Sequence, residues 1–220
     1  MATWMAHLRV ADHFVHRIKN IDEKEFIVGN IGPDSGVPNE DWSKFTPSTD
    51  ITHWRNKQIN NEIDHEAFYR MHLEEPKPGA SFYLGYYIHL VCDDLWGKVV
   101  YKPKKTKYIK ELESDNNFIW IMKEDWYDLD FDYKQSNPNM EAYRLFCEIN
   151  EFENKYLEYY PANAFTRQIN HIKEFYSQYK DLSKRNYQYL IKNEMDEYIE
   201  IAKKEVTEKL RGKNLTIAST

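Results

Sequence analysis

The segment "YLGYYIHLVCDDLW", residues 83–96, constrains the fold more than any other part of the chain. Its Tyr, Leu, Ile, Val and Cys residues point to every side of a helix, and a helix that is apolar all round belongs at the centre of a bundle. It is too short to cross a bilayer, which needs about 20 apolar residues. Yet His89, Asp93 and Asp94 stand inside it where Leu or Val is expected. Residues four apart on a helix lie above one another, so His89 and Asp93 point together into whatever packs on that face. An unpaired charge there would cost several kcal/mol. The plain explanation is a His–Asp hydrogen bond within the helix; the sharper one is a cation shared with other segments.

The flanking sequence supplies layers to cover such a helix. From Trp4 to about Lys19, Met5, Leu8, Ala11, Phe14, Val15 and Ile18 recur at helical spacing, which predicts an amphipathic helix. Residues 28–50 collect three Pro and three Gly and are expected to form a long irregular segment, packed through Trp42 and Phe45. Ile59, Ile63, Ala67 and Met71 predict a helix over 59–75, and further helices are expected over 104–124, 140–159, 162–179 and 184–211. An acidic aromatic connector, "EDWYDLDFDYKQSNPN", lies between the first two of these four. Without an internal repeat or a clear alternating strand, the fold class is all-α. At 220 residues, 41% hydrophobic and 15% aromatic, the chain can build one core, so a single domain over 1–220 is expected.

Charge and cysteine content exclude some roles. With 30 Lys and Arg against 36 Asp and Glu, the net charge of -6 argues against a nucleic-acid scaffold, and no stable nucleic-acid complex is expected. Cys92 and Cys147 are too few for a disulfide framework. No stretch has the apolar length of a membrane span or the form of a secretion signal, which predicts a cytoplasmic protein.

The polar inventory of the first hundred residues raises the cation reading above the plain one. His7 opens the first helix, Asp34 sits in the loop "GNIGPDSG", and His53 follows that loop in "STDITHW". Together with His89 and Asp93 they form a mixture of imidazole and carboxylate suited to zinc and its neighbours. Only the fold could bring them together.

Four blocks then occur in order: W-x-x-H (Trp4, His7), G-x-x-x-P-D (Gly29 to Asp34), T-H-W (Thr52 to Trp54) and H-x-x-x-D-x-x-W (His89 to Trp96). This pattern resembles the zinc-dependent phospholipase C family, in the branch that holds the amino-terminal domain of glycosylphosphatidylinositol-specific phospholipase D. It is more distantly similar to the single-strand-specific zinc nucleases. The resemblance implies an all-α fold around one or two zinc ions that cleaves a phosphate ester, a phosphodiester first of all, with phospholipid among the substrates. It implies that Asp34, His53, His89 and Asp93 bind one zinc, that His7 helps bind a second, that Asp93 bridges the two, and that Trp4 offers its backbone. Asp34 and Asp93 would then serve catalysis through a metal-activated water.

Two positions depart from the family pattern. Met1, Ala2 and Thr3 precede Trp4, so its amine is held in a peptide bond. The family's further histidine after the aspartate is replaced by Gly97, Lys98 and Val99, which leaves His171 and Glu174 as the candidates for a third metal position.

Other polar residues are assigned plainer roles. Asp64 is a reserve ligand; Asp94, about 100° round the helix from Asp93, is a hydrogen-bond partner of a ligand or of a backbone N–H. His13 and His16 are solvated or packing residues, His65 and His72 surface residues, and the tyrosines of the central helix core. Gly85 permits close helix packing. The acidic run Asp125 to Asp132 is a solvated connector. Two alternatives to the hydrolase stand: an HD-type metal phosphohydrolase, which needs a His-Asp pair where this chain has Asp64-His65, and a degenerate relative that keeps metal or fold without turnover.

Overall fold

The structure, a computed structural model, describes residues 1–41 and 43–213. Eleven helices and two short hairpins follow one another among these residues. The order is α1 (Trp4–Phe14), α2 (Glu23–Ile31), the hairpin β1 (Val37–Pro38) and β2 (Phe45–Thr46), α3 (Thr49–Thr52), the hairpin β3 (Arg55–Asn56) and β4 (Glu62–Ile63), then α4 (His65–His72) and α5 (Ala80–Trp96). After a wide π-type turn come α6 (Lys102–Lys107), α7 (Ile109–Ser114), α8 (Phe118–Ser136), α9 (Glu141–Glu148), α10 (Ala164–Ser177) and α11 (Lys192–Gly212). The chain is mostly helical, as the all-α expectation requires.

Helix α5 is the axis. All of Phe82 to Asp93 is buried, with α1, α2, α4 and α11 packed around it. Its partner of closest approach is α2. A Cβ on Gly29 would fall 2.0 Å from the Phe82 carbonyl oxygen, and one on Gly85 would fall 2.0 Å from that of Phe26. Glycine on both helices therefore lets the two backbones touch, and Gly85 has the packing role its sequence predicts. The stripe Tyr198, Ala202, Val206 and Leu210 of α11 is buried as its spacing demands.

Several expected boundaries are corrected. The predicted irregular segment begins inside α2, because Gly29 serves contact with α5 rather than a turn; Trp42 lies outside the described residues. The helix expected over 59–75 starts only at His65, where Asp64 accepts from the Ala67 N–H at 2.9 Å and caps it. Asn60 and Asn61, with φ of 55° and 60°, turn the β3–β4 hairpin instead. The helix expected at 104–124 is broken at Tyr108 and at Asp115–Asn117, and the supposed connector is the long helix α8. That helix buries Met122, Trp126, Leu129 and Phe131, and also Asp125, Asp128 and Asp130. Helix α9 stops at Glu148, and α11 begins at Lys192 rather than 184. No described helix is long and apolar enough to cross a membrane.

Candidate metal centre

Five residues from four segments converge beside the middle of α5. His7 comes from α1, Asp34 from the 3-10 turn that follows α2, His53 from the C-terminus of α3, and His89 and Asp93 from one face of α5. His7, His53 and His89 are wholly buried and Asp93 nearly so, while Asp34 keeps a partly open position.

Asp93 is the hub. Its Oδ1 lies 3.3 Å from His7 Nε2, and its Oδ2 lies 3.2 Å from His53 Nε2 and 3.6 Å from His89 Nε2. His53 Nε2 is also 3.5 Å from Asp34 Oδ1. Two overlapping groups result, His7–His89–Asp93 and Asp34–His53–His89, and within each the donor atoms lie within 4.8 Å of one another. His89 is common to both groups, while Asp93 turns one oxygen toward each side. The His7 and His89 rings stack at 3.7 Å between centroids, tilted by only 7°.

The surroundings aim these rings. His89 Nδ1 lies 2.7 Å from the Asn30 carbonyl oxygen. A carbonyl only accepts, so Nδ1 carries the proton and Nε2 presents its lone pair to the cluster. His53 Nδ1 lies 2.9 Å from the Thr52 hydroxyl, and the Tyr86 hydroxyl donates to the Thr52 carbonyl at 2.5 Å, fixing the segment from below. The turn bearing Asp34 is held by the Tyr160 hydroxyl, which faces the Gly32 and Pro33 carbonyls at 2.9 and 3.1 Å, and by Arg167, which donates to the Ser35 carbonyl at 2.8 Å.

Electrostatics keep His7, Asp34 and Asp93 in their ligand forms, whereas at His53 burial is outweighed by the contacts with Asp34 and Asp93, which raise the imidazole, so a bound cation would compete with a proton there. Burial, followed by the adjacent His89, pushes the His7 imidazole down to about 4, so His7 is neutral at pH 7. Burial would raise the Asp93 carboxyl, but the positive amino terminus and the adjacent His53, His7 and His89 rings hold it well below the usual carboxylate range. Burial likewise acts to raise Asp34, and contact with His53 outweighs it.

This cluster is not self-sufficient. Both ring nitrogens of His7, the Nε2 atoms of His53 and His89, and Asp93 Oδ2 are buried without a well-formed hydrogen bond. Each such orphan costs about 1–3 kcal/mol, and buried polar atoms in folded proteins are nearly always satisfied. Four of them, one from each of His7, His53, His89 and Asp93, match the donor set of a borderline divalent cation, neutral imidazole plus carboxylate.

No family model, no curated protein and no solved structure matches the chain. The site therefore stands on its own geometry. All five predicted ligands are brought together, and the other candidates are not. Asp64 caps α4 and accepts from Asn56 at 3.0 Å. Asp94 turns aside to Lys98 at 2.6 Å. His171 stands edge-on to Trp4 at 5.5 Å and Glu174 is exposed, and neither belongs to either group. His65 and His72, expected at the surface, are both half-buried: His65 lies edge-on to Tyr87, and His72 packs on Phe68 and Tyr83.

The structure also adds contacts that the sequence pattern does not contain. The Ala2 amide donates to Asp93 Oδ1 at 2.7 Å. The Asn30 carbonyl, the Thr52 hydroxyl and Tyr160 complete the support. Backbone donors and acceptors carry no residue signature, and Tyr160 lies about 130 residues from the turn it holds.

Proposed function

We propose that the chain is a zinc-dependent hydrolase of phosphate esters, a phosphodiester first of all, on a helical fold of the phospholipase C and zinc nuclease type. The observation that carries this reading is the convergence of orphaned donor atoms, one each from His7, His53, His89 and Asp93, with Asp34 beside them. His7, Asp34, His53, His89 and Asp93 would hold one or two zinc ions. Bound zinc supplies positive charge to phosphoryl oxygens and makes a neighbouring water more acidic.

The residues have separable tasks in this reading. Asn30 and Thr52 set the ring orientations of His89 and His53, so the nitrogens facing inward are the ones free to bind. Asp93 offers one oxygen to each half of the cluster. Asp34 lies on the wall of an open cavity of about 290 Å³, alone among the five, so it is the carboxylate placed to accept a hydrogen bond from an attacking water. The buried face formed by α1, α2 and α5 excludes solvent from the opposite side.

A second reading has one observation in its favour. Neither His171 nor Glu174 joins the cluster, and Gly97, Lys98 and Val99 stand where the family resemblance calls for another histidine. A relative that binds metal without turnover would look the same. The HD-type alternative loses its basis, because Asp64 is engaged in capping α4.

Turnover decides between them. Zinc-loaded protein is expected to hydrolyse bis(p-nitrophenyl) phosphate, with the rate lost in Asp34→Asn by roughly a hundredfold or more and abolished by a chelator. Full zinc occupancy with no hydrolysis of any phosphate ester would leave the metal-binding relative.

A further inference from the structure

The cavity beside Asp34 has a chemistry of its own. Near its walls stand two cations, Lys123 from α8 and Arg167 from α10, together with Trp4, Trp120 and Tyr127. Among the described residues Lys123 makes no hydrogen bond and no ion pair; its ammonium lies over the Trp120 ring at 4.4 Å. Arg167 spends one N–H on the Ser35 carbonyl and has no carboxylate partner among the described residues. Burial lowers both cations, and the Asp34 charge offsets this only in part at Lys123.

Two cations in a largely apolar cavity without carboxylate partners are costly unless an anion joins them. The carboxylate that lines the same cavity is Asp34, which a bound cation would neutralise. A volume of about 290 Å³ lies at the lower end for small-molecule sites and is too small for two acyl chains. The rings on its walls suit a flat group, and the ammonium over Trp120 shows that the aromatic surface there is already occupied by positive charge.

We propose that this cavity binds the ester group and a phosphoryl oxygen of the substrate, with Lys123 and Arg167 as anion contacts, and that it selects small phosphoesters with a flat, uncharged ester group against those with a cationic headgroup. This deepens the hydrolase reading and rests on it for the identity of the substrate. The selectivity is electrostatic: a headgroup such as choline would meet two positive charges that have no ion-pair partner among the described residues. Lys123 and Arg167 share the cavity wall with Asp34 and act on the substrate, not on the metal.

The test reads binding rather than turnover. Phenyl phosphate and phosphocholine are titrated against the full chain by tryptophan fluorescence, once with chelator and once with zinc. Phenyl phosphate is expected to bind at least tenfold more tightly than phosphocholine in both forms, since one unit of charge in a part-buried site is worth about that factor. The Lys123→Gln/Arg167→Gln double variant is expected to weaken phenyl phosphate by roughly a hundredfold, at about tenfold per charge-assisted contact. Lys123 has no hydrogen-bond or ion-pair partner among the described residues, so Lys123→Glu keeps the test valid if the Arg167 change disturbs folding, and it is expected to abolish phenyl phosphate binding. Equal binding of the two probes, or binding that neither variant alters, overturns the proposal. Binding that follows these expectations with no turnover would remove the hydrolase reading and leave the anion site; turnover indifferent to both cations would do the reverse.

Discussion

Helix α5 buries His89 and Asp93, helix α8 buries Asp125, Asp128 and Asp130, and the two resolve the cost in opposite ways. In α8 the carboxylates are satisfied. Asp125 accepts from Arg185 at 2.7 Å and from the backbone N–H groups of Gln188, Tyr189 and Leu190, closing the loop that leads into α11. Asp128 pairs with Lys180 at 2.8 Å and with Arg185. Asp130 accepts from the hydroxyls of Thr3 and Tyr176, both at 2.7 Å; burial raises it to about 7 against those two contacts and Arg9. Beside α5, by contrast, imidazoles and carboxylates face one another with five atoms unsatisfied. The difference teaches how to separate scaffold from candidate site: polar groups that close their hydrogen bonds hold the chain together, and those left open together are where binding is to be tested.

Breaking α8 should therefore cost more stability than altering α5. Asp125→Ala removes the acceptor of three backbone donors and of Arg185, and is expected to lower unfolding free energy by about 3 kcal/mol or more, with or without zinc. Asp93→Asn, which keeps an acceptor for the Ala2 amide, is expected to change metal-free stability by less than half of that. Denaturant titration of the two variants with chelator checks the order; a larger loss in Asp93→Asn would reverse the assignment of scaffold and site.

A smaller effect sharpens the contrast between histidines inside and outside the cluster. His72 is half-buried, and burial, with Lys77 beside it, pushes its imidazole down to about 4. Its Nδ1 lies 3.1 Å from the Lys77 ammonium, which has protons to donate, so the neutral ring is the fitting partner. Because the folded state prefers neutral His72, its stabilising share is complete above about 6.5 and is lost as pH falls from there toward 4. His72→Gln is expected to flatten the acid side of the stability curve by roughly 1 kcal/mol, after allowance for screening at a half-exposed group. Parallel curves over that pH range would show that His72 contributes nothing to the pH dependence.

How much of this was legible in the sequence depends on the physical range of each signal. The apolar run of α5 and the His89–Asp93 spacing follow from helical period alone, so the central helix and the direction of its polar pair are local properties. His7, Asp34 and His53 were legible as residue types in a pattern, but their convergence is tertiary. The acidic stretch of α8 misleads because Asp125, Asp128 and Asp130 look like a solvated run until Arg185, Lys180, Thr3 and Tyr176 are brought to them from far along the chain. Gly29 misleads in the same way: a glycine in a Pro/Gly-rich stretch reads as a turn, and its reason, the Phe82 carbonyl, is on another helix. Lys123 and Arg167 carry no signal, since a cation without a partner differs from a surface cation only in what surrounds it.

The central claim is that the open cluster beside α5 awaits a cation. Its most direct test is the zinc content of the purified full chain, measured by elemental analysis for the wild type and for Asp93→Asn after equilibration with zinc and removal of excess. One or two equivalents in the wild type, substantially reduced in a variant that remains folded, is the predicted result. No zinc in a folded wild type, or the same content in both proteins, would contradict it and reduce His89 and Asp93 to a buried polar pair.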